Sequence, residues 1–172
     1  KSYAMNTMIL VQTLMAFAMG ISSLLLVYKI LNGYLDKRYQ MSENRNTAYG
    51  VLQTGIILAT SIMLRTIVDP AINGLRLFSQ SGFSGQDVVM VILYSVLFVV
   101  IGVLCILVLI ASATLLLFYV SKVDEWKEIK NNNVGVALIS AAVVLGLSLV
   151  MGDYVGHLCE SILPYPKTLF IP

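Results

Sequence analysis

Asp153, His157 and Glu160 are the three residues of this chain that could build a catalytic site, just beyond the last apolar run. His157 is the single histidine. Without a Cys, an Asp or a second His at ligand spacing it makes no zinc site, and solvated charge is the ordinary reading of its acidic neighbours. Arg65 and Asp69 lie four residues apart in a mostly apolar segment. Ionised groups in such a segment are functional candidates, but near an interface an arginine can snorkel, so anchoring is the expected role. Gln53, Thr54 and Ser140 could line a polar path for an ion or small solute. They could equally make hydrogen bonds between helices, worth about 0.6 kcal/mol each on average. No apolar run carries an acidic residue or a histidine near its middle, which favours the second use.

The asparagines are the most conspicuous polar group. Asn46 and Asn131–Asn133 stand where charged segments meet apolar ones. Their amides could gate a pore mouth; capping of helix starts and turn formation is the simpler expectation, because Asn satisfies free backbone N–H groups well. Cys105 and Cys159 are poorly placed to bridge each other and read as plain apolar fillers. No phosphate-binding loop, dinucleotide glycine pattern, serine elbow or metalloprotease helix occurs. The expectation is a protein that is not an enzyme, with no metal and no cofactor.

These residues must be positioned by very apolar elements. Of 172 residues, 58% are hydrophobic and 12% charged, half the charge of an ordinary soluble domain. The deficit falls in four stretches, 7–31, 48–68, 88–120 and 134–152. Each is long enough, or nearly so, to cross a bilayer, and unbroken apolar runs exclude the alternation of a barrel. The first is too long for a signal-peptide core and is kept as a span. An all-α integral membrane protein with four transmembrane helices follows.

Local signals set the expected bounds. Helix one should cover 5–35, with Gln12 and Thr13 turned toward protein. Helix two should start at Asn46 and end near Val68, because Pro70 disfavours helical geometry before it. Residues 69–87 hold turn signals and a short interfacial helix around 72–78. Helix three should cover 87–119, capped by Asp87 or Ser84, with Gly102 marking a bend or a packing notch. The connector 121–132 is short and charged, with Trp126 at the bilayer surface. Helix four should run from Asn133 to Met151, and the proline-containing tail should lie along the outer surface.

Lys29, Lys37, Arg38 and Arg45 in the first connector and Lys122, Lys127 and Lys130 in the third outnumber Lys1, Arg65, Arg76 and Lys167 on the other side. That bias puts connectors one and three in the cytoplasm and both termini outside.

The two halves look like copies. After Asn46 and Asn133, at one fixed offset, Ala48 matches Gly135, Gly50 matches Ala137, Gly55 matches Ala142 and Ala59 matches Gly146. Upstream, Leu24–Tyr28 answers Leu115–Tyr119. Two tandem helix-loop-helix repeats are therefore expected: 1–80 as the first hairpin with its outer connector, 81–155 as the second, and 156–172 as an extracytoplasmic tail. Small residues at four-residue spacing (Ala16 and Gly20, Gly55 and Ala59, Ala142 and Gly146), with Gly50 and Gly135, are expected to let helices approach closely.

The run Glu125–Asn133 followed by the small-residue helix Val134–Leu149 resembles the signature of the YjfL-like bacterial inner-membrane family, with Glu43–Ala48 as a looser copy. The resemblance spans about residues 10–155. It implies a duplicated two-span domain in a bacterial plasma membrane with no assigned activity, and it brings no catalytic residues. The expected function is a non-catalytic subunit whose partners are the lipid bilayer and either other membrane proteins or further copies of itself, with no nucleic acid. The alternative is a small oligomeric channel or transporter.

Overall fold

The computed structural model describes residues 2–39, 46–79, 85–122 and 124–163. They form α1 (Ser2–Tyr39), α2 (Thr47–Ser79), α3 (Gly85–Ser121), a short α4 (Glu125–Lys130) and α5 (Val134–Ile162). No strand occurs among the described residues. All but α4 are long and apolar enough to cross a membrane, which is compatible with a multi-pass membrane protein.

The hydrophobic core is carried by α2 at the centre. Leu52, Ile56, Ala59, Met63 and Ile67 bury one face of it against Phe98, Val103 and Ile106 of α3 and Val144 and Val155 of α5. The interface of α2 with α5 is the longest in the molecule. Its closest points are small residues. A Cβ added at Gly55 would collide with Ala141, whose Cα lies 2.9 Å from that position, and one added at Gly156 would stand 2.9 Å from the Thr66 carbonyl oxygen. The third close approach is in α3, where Gly102 admits the end of Ile67. Loss of the side chain is what brings these helix axes together. By contrast α1 buries the smallest share of its span, and the outer faces of α1, α3 and α5 are covered with exposed Leu, Ile, Val and Phe.

Several expected boundaries need correction. Helix α2 does not stop before Pro70. It continues to Ser79 and absorbs the expected turn at Asn73–Gly74 together with the expected interfacial helix. A proline inside a helix removes the bond to the carbonyl four residues back. Here that carbonyl belongs to Thr66, which sits against Gly156, and Pro70 itself is fully buried. Tertiary packing thus holds a turn that local preference disfavours. Helix α5 also passes Met151 and runs to Ile162, with Gly152 and Gly156 as contact surface against Thr66 rather than breaks. It ends where Leu163, preceding Pro164, turns extended at φ −68° and ψ 138°. The rest of the expected tail, 164–172, lies outside the described residues, as do Ser81, Gly82 and Ser84. Helix α1 is longer than expected at both ends, α3 begins at Gly85, and Asp87 is within it. Of the polar pair expected to face protein, Gln12 is half-buried, whereas Thr13 faces outward with its hydroxyl donating to the Ile9 carbonyl at 2.9 Å.

The charged connector is also more than a loop. Lys122 adopts φ 55°, a left-handed stop after α3, and Asp124 then caps α4 by accepting from the Lys127 N–H. Trp126 and Ile129 of α4 are buried in the bundle. Trp126, expected at the bilayer surface, is turned into the protein and packs on Tyr39 at a ring separation of 6.2 Å.

Candidate functional site

At the α4 end of the bundle the asparagines form one connected brace. Asn46 accepts from the Tyr49 N–H at 2.9 Å, and Asn133 accepts from the Val136 N–H at 3.2 Å, so each caps its own helix from the same position. Asn46 does more. Its Nδ2 donates to the carbonyls of Ile129 and Lys130, at 2.8 and 3.0 Å, satisfying the exposed end of α4. In return Asn132 accepts from the Ala48 N–H at 3.0 Å. Asn132 can do so because its φ of 63° is a left-handed conformation that Asn tolerates. Asn131 is the C-cap of α4, and the Asn133 Nδ2 donates to Glu128 at 2.9 Å. The start of α2 and the α4–α5 turn are thereby clamped together across more than eighty residues of sequence.

A second polar cluster sits one turn deeper, between α1 and α2. The Tyr49 hydroxyl donates to Asn32 Oδ1, and the Gln53 Nε2 donates to the same oxygen at 2.6 Å and to the Tyr49 hydroxyl at 2.8 Å. Gln53 thus ties α1 to α2. Thr54 faces outward, donating back to the Gly50 carbonyl. Ser140 is buried on α5 and donates to the Val136 carbonyl. The three residues considered for a polar path face three different surroundings.

Beside the brace, α1, α3 and α4 enclose a cavity of about 560 Å³. Ile30, Leu107, Ala111, Leu115 and Phe118 make it apolar over most of its wall, and Tyr34, Arg38, Asp124 and Glu125 make one end polar. Glu125 is the unexpected member. It is 5% exposed, and its Oε1 has no hydrogen-bond partner among the described residues. Burial first, and the neighbouring Asp124 second, push its carboxyl up to about 7. The sequence places Glu125 in a short charged connector and does not single it out. The available signal was its position beside Trp126 and four residues before Ile129, which puts all three on the inward face of a one-turn helix.

At the opposite end a groove of about 520 Å³ runs between α2 and α5, lined by Arg65, Asp69, Asp153, His157 and Glu160 among others. Here the structure brings together residues that sequence reading treated separately. Their mutual bonding is sparse: Glu160 meets the Asn73 Nδ2 at 3.3 Å and His157 Nδ1 at 3.9 Å, and Arg65 and Asp69 make no ion pair with each other. Among the described residues no three His, Cys, Asp or Glu side chains converge as metal ligands, and Cys105 and Cys159 are both free thiols.

Of the small residues singled out from sequence, Gly55 and Ala59 are buried against neighbours. Gly20, Gly50 and Gly146 have nothing within 4 Å of an added Cβ, and Gly135 meets only its own cap, Asn133. Ala142 faces outward and Ala16 is half-buried. Sequence reading missed Ala141, Gly152 and Gly156, the small residues that α5 uses against α2.

A family model described as Domain of Unknown Function (DUF350) matches residues 4–155. The chain belongs to the DUF350 family. The DUF350 match takes in all of α4, the asparagine brace and the Glu125 cavity, and leaves His157 and Glu160 of the opposite groove outside it. No curated protein and no solved structure matches the chain.

Proposed function

We propose that this protein is a non-catalytic multi-pass membrane subunit that packs with itself or with other membrane proteins in a larger assembly. The observation that carries this reading is the outward face of α5. Ala142 and Gly146, four residues apart, are both exposed, and no described residue comes within 4 Å of a Cβ added at Gly146. In a membrane small residues allow close helix contact, and this pair is left unused by the internal packing. The low burial of α1 supports the same reading. A channel or transporter has less support, since Gln53, Thr54 and Ser140 do not converge and the Thr54 and Ser140 hydroxyls donate within their own helices.

The likeness to the YjfL-like family supports a bacterial inner membrane as the location. The excess of Lys and Arg at the α4 end supports a cytoplasmic brace, with Arg65 and His157 at the extracytoplasmic end. That Asn46 and Asn133 each accept from the N–H three residues on supports a duplicated hairpin.

The test is Gly146→Leu. A Cβ added there has no described atom within 4 Å, so the monomer should fold normally while the purified complex becomes smaller. An unchanged complex size with this variant refutes the role of that face.

A further inference from the structure

The cavity between α1, α3 and α4 has the build of a lipid site. Its apolar wall is formed by residues of the outer surface: Ile30 of α1 and Leu115 and Phe118 of α3 are exposed there. An acyl chain can therefore enter it from the bilayer side, and its volume falls within the usual range for bound ligands. The polar end carries charges of both signs on different walls, Arg38 from α1 and Asp124 with Glu125 from α4. Asp124 already has a cation, the Lys127 Nζ at 3.3 Å. Glu125 has none, and its Oε1 is a buried acceptor without a donor. Leaving such an atom unpaired forfeits the hydrogen bond that would offset its desolvation.

We propose that this cavity binds a membrane phospholipid whose headgroup carries a primary ammonium beside its phosphate, with the ammonium donating to Glu125 and the phosphate facing Arg38. Charge complementarity selects this class. An anionic lipid without an amine would bring its phosphate toward the Asp124 carboxylate and would offer Glu125 no ammonium. A choline headgroup brings the positive charge but no N–H to donate. The acyl chain lies along Ala111, Leu115 and Ile30, and the headgroup sits level with the asparagine brace.

Native mass spectrometry of the full chain in detergent, with phosphatidylethanolamine, phosphatidylglycerol and phosphatidylcholine of identical acyl chains added in turn, tests the assignment. The expected result is preferential retention of phosphatidylethanolamine by about tenfold, a difference of about 1.4 kcal/mol. Glu125→Gln, close to isosteric, should reduce that preference to the level of phosphatidylcholine. Ala111→Phe, which fills the groove from its exposed side, should weaken retention of the lipid, and Glu160→Gln at the far end should change nothing. Equal retention of all three lipids by the wild type, a preference for phosphatidylglycerol, or an undiminished ethanolamine preference in a folded Glu125→Gln variant each overturns the proposal.

Discussion

Single side chains at the α4 end carry loads that differ by number and kind of bond. Asn46 makes three, one as acceptor to its own helix and two as donor to α4, whereas Asn133 makes one cap bond and one bond to Glu128. Losing a cap costs about 0.5–2 kcal/mol, and the carbonyls of Ile129 and Lys130 add to that. Asn46→Ala should therefore lower unfolding stability in detergent more than Asn133→Ala. Asn46→Asp should fall between them, because a carboxylate still accepts from the Tyr49 N–H but cannot donate.

Glu125 is predicted to make stability depend on pH. Its folded pKa, about 7, lies above the ordinary value of 4.5. The fold thus favours the protonated form, and stability present below pH 4.5 is lost as pH rises through 7. The polar groups lining the same cavities are Tyr34, Arg38 and Tyr39 on α1 and Asp124, the cap of α4, while among the described residues α3 and α5 add the uncharged Thr114 and Ser140 and α2 the apolar Leu52 and Ile56. Thermal melts of Glu125→Gln should lose this pH dependence and should exceed the wild type at pH 8; a wild-type slope in the variant would contradict the assignment.

At the scale of elements, internal and external small-residue faces make opposite predictions. Gly55→Leu should abolish folding or destabilise by several kcal/mol, since even a methyl collides with Ala141. Gly146→Leu should leave the unfolding free energy within about 0.5 kcal/mol of wild type and change only assembly. A melt combined with size measurement separates the two. The elements were legible in sequence where apolar runs were long, because lipid compatibility leaves few alternatives to helix. Their ends were not. Pro70 reads as a stop in isolation, and only the contact of Thr66 with Gly156 shows why the helix continues. The caps at Asn46 and Asn133 were readable, since capping is local. The crossing bonds of Asn46 and Asn132 were not, because they join residues more than eighty apart. Glu125 was missed because its one local sign, a shared face with Trp126 and Ile129 on a short helix, is outweighed by the charged composition of the connector around it.

For the whole molecule, the membrane reading assigns the brace and the Arg65–His157 groove to opposite faces of the bilayer. The most direct test uses single cysteines at Lys127 and His157, whose side chains are 71% and 77% exposed, in a background with Cys105 and Cys159 replaced by alanine. A membrane-impermeant thiol reagent is applied to right-side-out and inverted vesicles. Lys127→Cys should react only in inverted vesicles and His157→Cys only in right-side-out ones. Reaction of both from the same side would contradict the account.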